Sequence, residues 1–486
     1  MSSPIATLQP EFIWKHFDAL RQIPRASKNE AAVREHVKKW AAGRRFETVQ
    51  DRAGNLCVRV PATKGHEGAR TVILQGHLDI VAEKNKNSAH DFDKDPIQIR
   101  VDGDWVVADD TTLGADNGIG VATAMACADD PAVVHGPLEL LFTIDEETGL
   151  TGATELDGTI LKGRTLLNLD SEEDGALFVG CAGGCTTEIS FALSRASVSG
   201  SWAALRVEVT GLRGGHSGLN IHENRGNSIK ILARVLHAWM QKHDVLVDSF
   251  DGGNKHNAIP REAAAVVLVP ASFAAEAVAI AADQHKQIIT EYVTIDPGLQ
   301  VTVTRMDAVP AKPGTAGDSK RLIAMLLAIP HGVISMSRDI AGLTETSTNL
   351  AIIKTEGDKL AITTSSRSSV AAALRAVLDQ NNAVLRLAGV QYEEVGAYPA
   401  WQPNMKSPLL QVCKRSYKGL YGKEPKVTAI HAGLECGIIA DKVEGEVDII
   451  SYGPQLEGVH APGEKVSISS VARFWDFHKK VLAELA

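Results

Sequence analysis

The stretch TVILQGHLDIV, residues 71–81, is apolar and β-branched along most of its length. This composition predicts a strand buried on both faces of a parallel sheet. His77 and Asp79 lie two residues apart at its end, so an extended chain points both side chains to one face. The stretch therefore predicts an open α/β sheet, in which functional groups gather at the carboxyl ends of the strands.

Three further apolar stretches predict strands and are followed by acids or a histidine. They are residues 138–144 before Glu146 and Glu147, residues 165–169 before Asp170, and residues 447–452, whose following loop carries His460. Because strand ends of an α/β sheet share one edge, we expect these side chains to lie near His77.

The stretch DTTLGADNGIG, residues 110–120, supplies one more carboxylate, Asp116, among small residues. Its glycines allow unusual backbone angles and a close approach by a ligand. Alone, an Asp-Asn-Gly step is typical of an ordinary turn. Together with the acids and histidines at the strand ends, it leads us to interpret Asp116 as a carboxylate shared by two metal ions.

These side chains fit a two-zinc hydrolytic centre. Zinc takes imidazole nitrogen and carboxylate oxygen, and two ions about 3.5–4 Å apart can share a carboxylate and a water. Three carboxylates against two divalent cations leave a positive charge that favours a bound hydroxide. Since adjacent acids cannot easily face the same metal, we expect Glu147 to bind and Glu146 to act as general base. The expected ligands are Asp116 between the metals, with His77, Glu147, Asp170 and His460.

Eight short motifs are spread along the whole chain. They are GHLD at 76–79, TLGADNG at 112–118, DEETG at 145–149, DSEE at 170–173, GGHSG at 214–218, NAIPRE at 257–262, HAGLECG at 431–437 and GVHAP at 458–462. In this order the motifs resemble those of the co-catalytic zinc peptidases, the family of carboxypeptidase G, aminoacylase and the carnosinases. The resemblance implies the same five ligands, two zinc ions and Glu146 as general base. Cobalt or manganese would also suit this ligand set.

The resemblance also implies roles for four other residues. It makes Asp79 a group that orients His77 rather than a metal ligand. It implies that His216 reaches from a lid domain to stabilise the tetrahedral intermediate, within its own chain or across a dimer. Arg367, in SSRSS at 365–369, would hold the substrate carboxylate. Asn257 would make an additional polar contact near the same oxygens.

The implied activity is hydrolysis of dipeptides, preferably with a C-terminal histidine and including carnosine-like β-alanyl dipeptides. An N-acyl amino acid deacylase or a less specific dipeptidase would use the same ligands. A non-catalytic protein that binds small peptides or metal is a hypothesis of another class. The presence of Glu146 beside all five expected ligands disfavours that hypothesis.

Several of these residues also have plainer interpretations. His216 lies among glycines, as loop residues often do, and Arg367 would serve as a surface ion-pair partner. Asp170 begins an acidic stretch of the kind that often forms a solvated face. His431 and Glu435 would line the pocket or would belong to a turn or helix start, and the sequence leaves both interpretations open.

The chain has 486 residues, too many for one ordinary core, so two or three domains are expected. Residues 1–186 and 396–486 are predicted to form one catalytic α/β domain, with a mixed, mainly parallel sheet flanked by helices. Residues 187–395 show two successive half-units with antiparallel strands. This pattern predicts an inserted α+β lid domain with two lobes.

Composition limits the partners. Lysine and arginine total 50 against 59 acids, and the net charge of −9 argues against nucleic acid or an anionic membrane as a partner. No apolar run approaches the roughly 20 residues that span a bilayer. The absence of a secretion signal and six scattered cysteines predict a cytoplasmic location. Cys181 and Cys185 lack the second cysteine pair of a structural zinc site. We expect small dipeptides as substrates and leave a homodimer open.

Overall fold

The structure is a computed structural model that describes residues 3–486. The chain packs as two compact units. The first comprises the described residues up to Cys181, Trp401–Ala429 and Leu434–Ala486, and the second comprises Ala182–Ala400 and Ile430–Gly433. The predicted domain boundaries at 186/187 and 395/396 stay a prediction.

The chain contains twelve α-helices and twenty-three strands among the described residues. The helices are α1 (Glu11–Arg21), α2 (Ala31–Gly43), α3 (Ala115–Asp129), α4 (Glu146–Gly149), α5 (Thr151–Thr154), α6 (Ser228–Met240), α7 (Ala274–Tyr292), α8 (Ala316–Ala328), α9 (Ala371–Ala388), α10 (Pro408–Tyr421), α11 (Glu435–Lys442) and α12 (Ile468–Leu485), with 3₁₀ turns at Gly158–Ile160 and Ile221–Glu223. The strands up to the second unit are β1 (Glu47–Gln50), β2 (Leu56–Val60), β3 (Val72–His77), β4 (Ile99–Asp102), β5 (Trp105–Ala108), β6 (Leu138–Thr143), β7 (Thr165–Asn168) and β8 (Ala176–Cys181). The others are β9 (Gly183–Ala192), β10 (Trp202–Thr210), β11 (Gly215–His216), β12 (Leu246–Gly252), β13 (Ala258–Ile259), β14 (Ala263–Pro270), β15 (Gln300–Arg305), β16 (Gly332–Met336), β17 (Thr344–Glu356), β18 (Lys359–Ser368), β19 (Gln391–Tyr398), β20 (Lys426–Ile430), β21 (Asp448–Ser451), β22 (Leu456–Glu457) and β23 (Lys465–Ser467).

The main sheet of the first unit has the strand order β1-β2-β6-β3-β7-β21-β8-β20. Its four central strands are parallel, because β3 pairs in parallel with β6 and β7, and β7 with β21. The pairs β1-β2, β2-β6 and β21-β8 are antiparallel. All six residues of β3 are buried, and α3 packs against this strand. The predicted mixed sheet flanked by helices is confirmed.

A small sheet in the same unit has the order β22-β23-β5-β4. It includes the hairpin β4-β5. Strand β5 leads into the loop before Asp116, while β22 and β23 flank the loop that carries His460. The pairing of β23 with β5 therefore joins two loops that are far apart in sequence.

The second unit is built on an antiparallel sheet, β15-β10-β14-β12-β17-β18-β9-β19, with β16 on β17. Its two halves meet between β12 and β17, where the only registered pair is Gly252 with Ile353. Helices α6, α7 and α8 contribute to the core of this unit, which includes the fully buried Trp239 and Phe250. The α+β character with two lobes is confirmed.

The largely apolar run at residues 259–269 forms two strands. Strand β13 ends at Ile259 and β14 begins at Ala263. Pro260 interrupts the run because it has no N–H to donate to a ladder. Among residues 3–486, none of the helices combines the length and apolar character needed to cross a bilayer.

Candidate active site

The strand ends of the main sheet bring the expected side chains together, as the sequence predicted. His77 is the last residue of β3, and the four-residue helix α4 begins with Glu146 and Glu147 soon after β6. Asp170 follows β7 by two residues, and Asp116 is the second residue of α3. The peptide bond between Asp116 and Asn117 is cis.

Asp116 lies between two histidines. Its Oδ1 is 3.1 Å from Nε2 of His77, and its Oδ2 is 3.1 Å from Nε2 of His460. Nε2 of His77 is also 3.3 Å from Oδ1 of Asp170, and Nε2 of His460 is 3.0 Å from Oε2 of Glu147. Two groups of potential ligands therefore share one carboxylate: His77, Asp116 and Asp170 form one, and Asp116, Glu147 and His460 form the other.

The donor set fits divalent cations. Oε1 of Glu147 is buried and has no hydrogen-bond partner in the described part of the chain, and the buried Oδ1 of Asp170 has only its ion-pair contact with His77. A buried carboxylate oxygen without a donor is costly, and a metal ion would satisfy it. The side chain of His460 is 52% exposed, compared with 1% for His77, so the cluster opens to solvent on the side of His460.

The charges of the cluster shift its pKa values strongly. Hydrogen bonds to Asp116 and Glu147 raise the pKa of His460 to about 11. Burial lowers the pKa of His77, but the neighbouring carboxylates, Asp170 first, raise it well above its ordinary value. Both histidines therefore carry protons in the metal-free chain. A metal ion must displace these protons because it binds neutral imidazole.

Glu146 has an environment suited to a general base. Burial raises its pKa well above the ordinary value, the charge of His77 lowers it, and the charges of Asp170, Glu435 and Glu147 raise it further. A carboxylate with a raised pKa is a better proton acceptor near neutral pH. Its role as general base stays a prediction.

Asp79 holds two elements of the cluster in place. Its Oδ1 is 3.4 Å from Nδ1 of His77 and accepts the N–H of Glu146 at 3.0 Å. Its Oδ2 accepts the N–H of Glu147 at 3.2 Å and the hydroxyl of Ser27 at 2.8 Å. A carboxylate at the start of α4 and beside His77 can orient both. These contacts fit the expected positioning role, which stays a prediction.

Another group of acids, Glu30, Asp79 and Asp145, is hydrogen-bonded within the chain. Oε1 of Glu30 accepts the N–H groups of Lys28 and Asp145, and the carboxylate of Asp145 accepts the hydroxyls of Thr148 and Thr151. These hydrogen bonds give the group a structural explanation.

Sequence reasoning missed Arg25, which is 2% exposed beneath the cluster. Its guanidinium donates to the carbonyls of Leu78 at 2.8 Å, Asp79 at 3.2 Å and Gly114 at 2.6 Å. Burial lowers its pKa to about 10, against the raising effect of nearby acids. Arg25 thus ties the end of β3 to the loop before Asp116, and no motif marks it.

Glu435, for which the sequence left two interpretations, begins α11 in the first unit and is fully buried. Its Oε2 accepts hydrogen bonds from Nε2 of Gln75 at 2.6 Å and from the hydroxyl of Thr143 at 2.7 Å. Burial raises its pKa to about 7. It is therefore a buried support of the strand ends and is closed to solvent.

The second unit contains His216 on β11 and Asn257 directly before β13, the strand segment that pairs with β11. His216 is in register with Ala258, and the carbonyl of Asn257 accepts the N–H of Ser217 at 2.8 Å. Both side chains border an open groove of about 670 Å³. The structure therefore brings these two predicted residues together.

The protonation of the His216 ring follows from its contacts. Its Nδ1 accepts the N–H groups of Gly218 at 3.2 Å and Leu219 at 3.0 Å, so the ring hydrogen is on Nε2. Burial, followed by the charges of Arg367 and His256, lowers its pKa to about 4. Near neutral pH His216 is an uncharged hydrogen-bond donor.

Arg367 is 8% exposed on β18. Its Nη1 donates to the hydroxyl of Tyr398 at 2.9 Å, and its Nε is buried without a hydrogen-bond partner in the described residues. His431, also in the second unit, has Nε2 2.7 Å from the hydroxyl of Ser347, and burial and the charge of Arg367 lower its pKa to about 3. The second unit thus buries a cation with unused hydrogen-bonding capacity, which can bind an anion.

Comparisons with known proteins agree with a metal-dependent hydrolase. Residues 73–484 match the model of peptidase family M20/M25/M40. The chain is 38% identical over 491 residues to the cytosol non-specific dipeptidase of Escherichia coli (strain K12), covering 99% of both chains. It is 39% identical to the crystal structure of aminoacylhistidine dipeptidase from Vibrio alginolyticus, with a TM-score of 0.92 over 99% of this chain and 98% of that one.

The chain belongs to peptidase family M20/M25/M40. It is a metallopeptidase with dipeptidases among its full-length relatives, and its fold is the catalytic and lid domain architecture of that family. The structure of an aminopeptidase, PepT from Bacillus cereus, shares the fold at 16% identity and a TM-score of 0.57, covering 98% of this chain and 99% of that one.

Proposed function

We propose that the chain is a zinc-dependent dipeptidase that prefers substrates with a C-terminal histidine, including carnosine-like β-alanyl dipeptides. Two zinc ions would be held by His77, Asp116, Glu147, Asp170 and His460, and cobalt or manganese would also suit these ligands. The observation that carries the proposal is Asp116, whose two oxygens each lie 3.1 Å from a different histidine.

The chemistry divides between the metals and the chain. Bound divalent cations supply Lewis acidity that lowers the pKa of water and polarises a carbonyl. Glu146 takes the proton from the attacking water and passes it to the leaving amine. Asp79 keeps His77 and the start of α4 in position through its hydrogen bonds.

The second unit would provide groups that bind the organic part of the substrate. Arg367 is proposed to hold the C-terminal carboxylate, because its Nε is buried without a partner in the described chain. Asn257 would add a polar contact. His216 would donate its Nε2–H to the oxyanion of the tetrahedral intermediate, which needs an uncharged donor rather than an acid.

Substrate specificity is the finer part of the proposal. One full-length relative is called non-specific and another is called an aminoacylhistidine dipeptidase. A less specific dipeptidase and an N-acyl amino acid deacylase are therefore the alternatives. The two relatives support a dipeptidase over the deacylase, and the histidine preference is the point to test.

The test compares three substrate sets after the protein is stripped with a chelator and reloaded with zinc. The sets are Xaa-His dipeptides, dipeptides without histidine, and N-acetyl amino acids. We expect zinc to restore cleavage mainly of the Xaa-His set. Equal cleavage of both dipeptide sets would replace the histidine preference with a broad dipeptidase, and cleavage of acylated substrates alone would indicate a deacylase. Zinc loading without any cleavage would support a binding protein.

Three further expectations join the proposal. We propose residues 1–186 and 396–486 as the catalytic domain, with 187–395 as the lid, and a cytoplasmic location. We carry the homodimer as a proposal and leave open whether His216 acts in its own chain. Mixing Glu146→Gln protein with His216→Ala protein tests this point. Recovered activity in the mixture would show action across a dimer, and a mixture of exchanged subunits that stays inactive would show action within one chain.

A further inference from the structure

Glu464 lies in the loop that follows His460 and is 2% exposed. Its carboxylate accepts four consecutive backbone N–H groups, two from the end of the loop before α3 and two from the first residues of α3. Oε2 accepts from Leu113 at 2.8 Å and Gly114 at 3.1 Å, and Oε1 accepts from Ala115 at 2.9 Å and Asp116 at 3.3 Å. The last of these amides is that of Asp116, whose carboxylate lies between the two histidines.

The backbone of the loop that carries Glu464 also forms hydrogen bonds with the end of β5 and with the turn that follows β5. The carbonyl of Glu464 accepts the N–H of Ala108 at 3.2 Å, and the N–H of Gly463 donates to the carbonyl of Thr111 at 2.9 Å. His460 therefore sits on a loop that is attached along its length to the segment leading to Asp116. The side chain of Glu464 is the part of this attachment that reaches Asp116 itself.

The backbone of residues 113–116, which Glu464 contacts, is also held from its opposite side. The carbonyl of Gly114 accepts a hydrogen bond from Arg25, and Gly114 has a φ of 68°, which favours glycine. A Cβ there would lie 2.7 Å from Ile80 and 2.9 Å from the Arg25 guanidinium. The backbone before Asp116 thus lies closely between Arg25 and Glu464.

We propose that Glu464 is a positioning residue that sets Asp116 and His460 at the separation needed to hold one of the two metal ions. The inference rests on the proposed metal centre. Of the two ligand groups, the one made of Asp116, Glu147 and His460 takes two members from the segments that Glu464 joins. The group of His77, Asp116 and Asp170 takes only Asp116, and its other two members are placed by the strands β3 and β7.

The substitution Glu464→Gln isolates this role because it keeps the size of the side chain. A glutamine has one acceptor oxygen, so its amide nitrogen would face two backbone N–H groups as donor against donor. Glu464→Asp is the second variant. It keeps the charge but is one methylene shorter, so it cannot reach both pairs of amides.

The chain offers a matched control in Glu139, which is also 2% exposed. It accepts the backbone N–H groups of Lys162 and Gly163 at 2.9–3.0 Å, at the amino end of β6 and away from the metal cluster. Glu139→Gln therefore removes a comparable buried carboxylate without touching Asp116 or His460.

The experiment measures the dissociation constants of both zinc ions by competition with a chromogenic chelator, using the full chain. We expect Glu464→Gln and Glu464→Asp to raise one dissociation constant about 10–100-fold and to change the other by less than about threefold. Glu139→Gln should leave both within that smaller range. The melting temperature of the metal-free forms is measured alongside, because a merely structural role would lower it without changing zinc affinity.

The outcomes separate this inference from the proposed function. Wild-type protein that does not bind two zinc ions would contradict the metal centre itself. Two ions in the wild type, with unchanged or equally weakened affinities in both Glu464 variants, would overturn the role of Glu464. If neither variant folds while Glu139→Gln does, Glu464 is a requirement for folding and the positioning role is overturned.

Discussion

In the first unit three carboxylates converge on two histidines, whereas in the second unit an arginine lies among histidines, hydroxyls and amides. The first cluster has a buried acceptor oxygen without a donor, Oε1 of Glu147. The second has a buried donor without an acceptor, at Nε of Arg367. We therefore propose that cations complete the first cluster and that an anion completes the second, which are the two kinds of charge that a metal-dependent dipeptidase must bind.

The two units also differ in the protonation of their histidines. The carboxylates around His460 raise its pKa to about 11, whereas burial and the charge of Arg367 lower the pKa of His216 to about 4. One ring thus holds a proton until a metal displaces it, and the other is neutral near pH 7. The same residue type is thus proposed as a metal ligand in one unit and as a hydrogen-bond donor in the other.

The largest expected effect comes from Glu146, the proposed general base. Glu146→Gln should lower kcat about 10²–10⁴-fold and leave both zinc ions bound, because the amide cannot accept the proton of the attacking water. Turnover and zinc content are measured on the same sample. Glu155→Gln, at an exposed acid near the end of α5, is the control and should act like wild type. Near wild-type turnover by Glu146→Gln would contradict the assignment of the base.

In the second unit the corresponding change is Arg367→Lys. Loss of the two-pronged donor should raise KM about 10–100-fold, since a hydrogen bond to a charged group contributes about 1.5–3 kcal/mol. The exposed Arg375, which pairs with Asp379 and Glu394 on the surface, provides the control Arg375→Lys. A loss confined to kcat, with KM unchanged, would argue against carboxylate binding by Arg367.

A smaller effect is expected in the titration of His216. NMR of labelled histidine should show a neutral ring with the hydrogen on Nε2 down to about pH 5. The pKa should rise in Arg367→Met without reaching its ordinary value, because burial, the larger cause, remains. A ring that is protonated at pH 6 would contradict the neutral donor.

The lowered pKa of His216 also makes the stability of the fold depend on pH. Between pH 6.5 and 4 the unfolded chain binds a proton at His216 that the folded chain does not, so this residue favours unfolding as the pH falls through that window. His216→Gln removes the titrating group. The variant should therefore lose less melting temperature than the wild type between pH 7 and pH 5. An unchanged dependence of the melting temperature on pH would count against the lowered pKa of His216.

The sequence places three of the expected ligands near one another because they follow apolar strands. His77, Glu147 and Asp170 come at or just after the ends of β3, β6 and β7, and parallel strands end at one edge of a sheet. His460 was harder to place, because its position depends on the pairing of β23 with β5 across most of the chain.

Other parts of the site have no sequence pattern that would reveal them. Arg25 and Glu464 act on backbone carbonyls and amides, and such contacts impose no residue type on the segments they hold. His431 and Glu435 are four residues apart, yet the chain passes from the second unit to the first between them. In the second unit, His216 and Arg367 were found by family resemblance, since loop histidines and strand arginines are common.

The most direct test is a zinc titration of chelator-stripped protein. The amount of bound zinc and the rate of hydrolysis of an Xaa-His dipeptide are both measured during the titration. We expect the wild type to bind two ions per chain, and the rate of hydrolysis to reach its plateau as the second ion binds. The Asp116→Ala variant should bind fewer than two ions. Full activity without metal, or a plateau and a stoichiometry of one ion in the wild type, would contradict a centre in which Asp116 is shared by two cations.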